Sequence, residues 1–178
     1  INDKAVPLPT LPEELMQIPE IVKALEFATR KHGEINQQRK LSGIPYIAHP
    51  IQVATILYTL VKNATVAMYC ACLLHDTVED TETTLEEIEN NFGETVSFLV
   101  DGVTKVGRAR AGMSHLESYL PQTKDNLSKL LIAVGQDVRV VIIKLADRLH
   151  NMQTLQHMLP EKQQKIARES LDVFAPIA

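Results

Sequence analysis

Cysteine is nearly missing from this chain. The only two, Cys70 and Cys72, stand two apart in an apolar run where a helix would turn them to different sides, and two thiols cannot build a secreted disulfide framework. An excess of positive charge is missing too: 18 Lys and Arg against 22 Asp and Glu leave a formal net charge of −4. That excludes gripping a polyanion by bulk charge and argues against direct nucleic-acid binding, although a local basic pocket stays open. Long hydrophobic runs are lacking as well, since none reaches the ~18 to 20 residues of a membrane span, and no basic-then-apolar signal pattern opens the chain. These absences point to a soluble cytoplasmic protein without a membrane partner.

What is present is ordinary globular composition: 178 residues, 45% hydrophobic and 22% charged, a length that suits one domain. Residues 1–18 hold Pro7, Pro9 and Pro12 and are expected to form an extended lead-in, with the domain proper over 19–178. The chain starts at Ile1 without Met and stops in an apolar stretch ending at Ala178, which reads as a fragment of a longer protein.

Helical spacing governs the rest. Glu20 to His32 reads as a helix, Gly33 to Gly43 as a polar loop, and a helix after Pro50 leaves His49 at its mouth. Thr65 to Thr77 is almost wholly apolar and should be a buried central helix ending in the charged cluster His75 to Asp80. Thr84 caps a short acidic helix ending near Gly93, and Glu94 to Lys105 forms another. Residues 106–121, with Gly107, Gly112 and Pro121, are expected to be a mobile loop. Asp125 to Asn151 reads as a single helix in spite of the branched run Val138 to Ile143, because a leucine stripe continues on both sides of it. The predicted architecture is all-α.

Chemistry concentrates at His75-Asp76. An imidazole nitrogen beside a carboxylate oxygen suits a divalent cation, and His49 and Asp147 are the natural groups to complete a site. Asp147 sits in an otherwise apolar helix, where a carboxylate needs a cation or donor to offset its desolvation; Arg148 is its ordinary ion-pair candidate. Glu79 and Asp80 follow His75 and Asp76 by four residues, so a helix puts both acids on the ligand face one turn on, placed to move protons. Glu82, Glu86, Glu87 and Glu89 read as a solvated acidic face. His32, His115, His150 and His157 lack partners at ligand spacing and read as structural or exposed.

Four strings make a family resemblance specific: Gly43-Ile-Pro-Tyr-Ile-Ala-His-Pro-Ile-Gln-Val-Ala54, Leu74-His-Asp-Thr-Val-Glu-Asp-Thr81, Val100-Asp-Gly-Val-Thr-Lys105 and Lys144-Leu-Ala-Asp-Arg-Leu-His-Asn-Met152. In this order they resemble the hydrolase domain of the Rel/Spo family of bifunctional alarmone enzymes. The resemblance implies an all-helical His-Asp metal-dependent phosphohydrolase domain that uses Mn2+ to remove pyrophosphate from the 3′ position of guanosine tetra- or pentaphosphate, returning GDP or GTP. By matching position, it implies His49, His75, Asp76 and Asp147 as metal ligands and Glu79 and Asp80 as the catalytic acids. Asn151 matches a residue lining the nucleotide pocket, and Ser42 with Arg39 and Lys40 matches the guanine-holding segment. Lys105 is the further cation placed to screen the polyphosphate.

The stretch near the C-terminus looks like the point where longer relatives run on into a synthetase domain, absent here, with a regulatory region beyond. Leu41 directly before Ser42 and Ile44 in the following turn depart from the usual family pattern. Two other readings compete: a His-Asp phosphohydrolase acting on a different nucleotide, and a module that senses a nucleotide without turnover.

Overall fold

A computed structural model describes residues 7–38, 43–116, 137–155, 160–161 and 163–164. Among them there is no strand, only an isolated bridge between Gln38 and Pro45. The helices are α1 (Glu13–Met16), α2 (Pro19–Glu34), α3 (Ala48–Leu60), α4 (Val66–Asp80), α5 (Leu85–Phe92), α6 (Glu94–Leu116) and α7 (Val138–Gln153).

Local chemistry sets most of the ends. α2 starts with Pro19 in its first turn, where the missing N–H costs nothing, and buries Ile21, Ala24, Phe27, Ala28 and His32 along one side. Thr65 accepts from the Met68 N–H at 3.3 Å to open α4, and Thr84 accepts from the Glu87 N–H at 3.1 Å to open α5. α5 closes on Gly93 at φ 92°, a conformation that glycine adopts without steric cost.

α4 is the axis of the molecule. Every residue from Met68 to Thr77 is buried, and the helix packs against α2, α3, α6 and α7. Fully buried Leu73 and Leu74 on α4, Leu99 on α6 and Ile143 on α7 each contribute ~1.5–3 kcal/mol relative to exposure. Because α4 is enclosed by its neighbours, it delivers His75 and Asp76 into the interior, while Glu79 and Asp80 at its end are exposed.

Three expectations need correction. Residues 13–16 are helical, and Leu11 and Leu15 are buried in the core, so the lead-in is not wholly extended. Residues 106–116 are not a loop but the continuation of α6. Residues 106–116 contain no proline, and their Ala, Arg and Met residues outweigh two glycines that each cost ~1 kcal/mol relative to Ala. The long helix expected from Asp125 starts afresh at Val138, because extended Asp137 caps it by accepting from the Arg139 N–H at 2.9 Å; residues 125–136 lie outside the described residues.

The branched run is helical all the same. Val140, Ile143, Ala146, Asp147 and His150 are buried at helical spacing, and that packing overrides the small intrinsic penalty of Val and Ile.

Candidate metal centre

Three helices bring four side chains together. α3 supplies His49 from its first turn, α4 supplies His75 and Asp76 near its C-terminal end, and α7 supplies Asp147. All four are buried, and one donor atom from each lies within 4.8 Å of the other three. His49 Nε2 is 2.7 Å from Asp147 Oδ1 and 3.8 Å from Asp76 Oδ2; His75 Nε2 is 3.1 Å from Asp76 Oδ1 and 3.7 Å from Asp147 Oδ1. Donors ~2.1 Å from one shared cation stand ~3–4 Å from each other, so this spacing fits a metal site.

The protonation pattern fits as well. A carbonyl can only accept, so the 2.8 Å contact between His75 Nδ1 and the Cys72 carbonyl puts the proton on Nδ1. In the neutral ring Nε2 then carries a bare lone pair, and this buried atom has no hydrogen-bond partner. Left to the carboxylates alone, the ring stays charged: burial works against the imidazolium of His75, but the charge of Asp76 and contacts to Asp147 and Asp76 hold its pKa well above the usual value. Burial likewise opposes ionisation of Asp76 and Asp147. His75 overcomes it for Asp76, and Lys144 followed by His49 overcomes it for Asp147, so both carboxyls titrate below the usual range. A divalent cation satisfies the same two carboxylates while taking the Nε2 lone pair.

The surrounding side chains fix these donors. Tyr46 donates its hydroxyl to Asp76 Oδ2 at 2.8 Å; burial and then the charges of Asp76 and Asp80 push its pKa up. Lys144 Nζ lies 3.4 Å from Asp147 Oδ2. His150, expected to be structural or exposed, is buried, and its Nδ1 is 2.5 Å from His49 Nδ1. Its position three residues after Asp147, one helical turn on, was the available signal.

The paired acids occupy the end of α4, one turn beyond the ligands. Glu79 is exposed as a whole, yet its pKa is raised, chiefly by loss of water around the carboxyl; Lys144 opposes the shift and Asp76 reinforces it. Asp80 Oδ2 accepts from Gln37 Nε2 at 3.0 Å. Asn151 is half-buried on α7, one turn past Asp147. Lys105 is exposed on α6 and ion-paired with Asp101 at 2.7 Å. Arg39, Lys40 and Ser42 lie outside the described residues.

A family model described as an HD domain matches residues 24–178, so the helices and their His-Asp pair define a domain of that class. A guanosine-3′,5′-bis(diphosphate) 3′-pyrophosphohydrolase of Aquifex aeolicus is 45% identical over 89% of this chain and 21% of its own length. A GTP pyrophosphokinase of Streptomyces coelicolor is 44% identical over 93% of this chain and 18% of its own. A solved metazoan ortholog of SpoT, described as hydrolysing ppGpp and acting in starvation responses, aligns over 88% of this chain and 82% of its own, at 30% identity and a TM-score of 0.63. The chain belongs to the HD-domain family and, within it, to the hydrolase domains of Rel/Spo proteins. It spans about a fifth of the length of the curated relatives it matches. Among the described residues no helix is long and apolar enough to cross a membrane.

Proposed function

We propose that this chain hydrolyses the 3′-pyrophosphate of guanosine tetra- and pentaphosphate, releasing pyrophosphate with GDP or GTP. The observation that carries the reading is the buried cluster of four donors, His75 Nε2 among two carboxylates and a second histidine within 4.8 Å of one another, with two further acids one turn away. His49, His75, Asp76 and Asp147 would hold the cation. Two nitrogens with two carboxylate oxygens leave room for water and suit Mn2+. When bound, the cation supplies the charge that makes water a better nucleophile near neutral pH and polarises the attacked phosphorus.

The protein side chains do the remaining work. The water oxygen bonds to the phosphorus next to the ribose as the bond from that phosphorus to the 3′ oxygen breaks. Asp80 takes the proton of the water, and Glu79, which keeps its own proton to higher pH than an ordinary glutamate, delivers one to the departing 3′ oxygen. Arg39, Lys40 and Ser42 hold the guanine, Asn151 lines the nucleotide pocket, and Lys105 exchanges Asp101 for substrate phosphate. The whole protein carries a synthetase and a regulatory region and works in the cytoplasm. The size of its relatives and the name of one as a GTP pyrophosphokinase support the additional regions.

The test is guanosine tetraphosphate incubated with the purified protein, with and without Mn2+, and product analysis. Pyrophosphate and GDP formed only with the metal are expected, and His75→Ala and Asp76→Ala should lose both turnover and bound Mn2+. Free phosphate as product moves the protein to another His-Asp chemistry. Nucleotide binding without turnover in saturating Mn2+ makes it a sensor.

A further inference from the structure

Outside the ligand set, one polar chain ties the residues that follow α2 to the end of α4. His32 is 2% exposed on α2, and its Nδ1 lies 2.8 Å from Gln37 Oε1; the other end of the same amide, Nε2, donates to Asp80 Oδ2 at 3.0 Å. Each direction is forced. The amide nitrogen of Gln37 donates to Asp80, so its carbonyl oxygen faces His32, and His32 must carry its proton on Nδ1. The remaining nitrogen of that ring, Nε2, is buried with no hydrogen-bond partner.

The backbone places Gln37 for this contact. α2 ends with Asn36 at φ 48°, a left-handed conformation asparagine tolerates better than most residues. Asn36 N–H donates to the Gly33 carbonyl and Gln37 N–H to the His32 carbonyl, both at 3.0 Å. These two bonds close the helix end without help from either side chain, and the Gln37 carbonyl accepts from Tyr46 N–H at 3.0 Å. The side-chain chain is therefore additional to the turn. Burying an imidazole with one nitrogen unsatisfied is unfavourable. Its Nδ1–H is the part of His32 that the site uses.

Resting on the activity proposed above, we infer that Gln37 is a positioning residue for Asp80, locked in one amide orientation by His32. Gln37 stands two residues before Arg39 in the sequence.

Gln37→Met keeps the side-chain length and every backbone bond but removes both side-chain hydrogen bonds. We expect kcat on guanosine tetraphosphate to fall by about 100-fold, the size of effect a small misplacement of a reacting group produces, with KM and Mn2+ content unchanged. In an Asp80→Ala background the same substitution should cause no further loss. His32→Asn, whose amide can mimic the Nδ1–H, should retain most of kcat, and His32→Phe should lose it. Wild-type kcat in Gln37→Met, a multiplied loss in the Asp80→Ala background, or equal effects of the two His32 variants overturn the inference. Wild-type turnover by Asp80→Ala itself overturns the assignment of the acids instead, so the two failures are distinguishable.

Discussion

Gly102 of α6 faces Val140 of α7 more closely than a β-carbon allows: one built on Gly102 would lie 2.7 Å from Val140 Cγ2 and 3.3 Å from Cγ1. The two helices meet there because glycine is there, and Asp147 lies two turns further along the same α7. Gly102→Ala gains ~1 kcal/mol of helix propensity but incurs an overpacking cost of ~1–3 kcal/mol. The expected result is a lower melting temperature together with weaker Mn2+ binding, as α7 is pushed outward. An unchanged or higher melting temperature would refute the close approach.

Gly102 also shows where sequence reading stops. Asp101-Gly102 is visible within a helical pattern, but nothing in the string says which helix crosses there. The cluster of His49, His75, Asp76 and Asp147 and the acids beside it were legible because helical periodicity alone sets His75, Asp76, Glu79 and Asp80 on one face, and because Asp147 stands out in an apolar helix. His150, Lys144, Tyr46 and Gln37 were not assigned, because each acts through a neighbour distant in sequence: Gln37 and Asp80 are 43 residues apart, His49 and His150 101. The continuation of α6 through 106–116 was missed for a different reason, since glycine lowers helix propensity without forbidding a helix.

Stability should depend on pH in opposite senses for the two kinds of ligand. The His75 pKa is raised, so its contribution is complete below the unfolded value of about 6.5 and is lost as pH rises through the folded value. Asp76 and Asp147 are lowered, so theirs is present above about pH 4 and lost as pH falls through their folded values. Metal-free protein should therefore melt highest between those limits. Mn2+ needs the Nε2 that the proton occupies, so the rise in melting temperature on adding Mn2+ should be larger at about pH 8 than at about pH 6. An equal rise at both would remove His75 from the ligand set.

Both thiols should be inert in the folded protein. Cys70 and Cys72 are free and buried on α4; burial pushes the Cys70 thiol up to about 12 and raises Cys72 further above its ordinary value. Alkylation at mildly alkaline pH should label neither until the chain unfolds, and the rate should follow denaturant. Rapid labelling of native protein would mean that the core around α4 opens readily.

Glu79→Gln separates proton transfer from metal binding. The substitution keeps size and polarity, removes the titratable group, and touches none of the four ligands. Mn2+ content should stay at the wild-type level while kcat falls by about 10²–10⁴-fold, the usual effect of losing a general acid or base. Loss of the ion would make Glu79 a ligand and reverse the division of roles.

With a cation at the site, His150 would act on it through His49. For His49 to offer Nε2 to a cation its proton must sit on Nδ1, and the atom facing that Nδ1 is Nδ1 of His150, which must then accept and carry its own proton on Nε2. His150→Phe keeps a ring of similar size in this buried position and removes the acceptor, so nothing favours the ligating tautomer of His49. Removing such a partner typically costs 10–100-fold in metal affinity, so Mn2+ titrated by calorimetry should bind about 10–100-fold more weakly, with the melting temperature of the metal-free protein little changed. If affinity holds and only metal-free stability falls, the histidine pair serves packing alone, and His49 reaches its ligating form without help from α7.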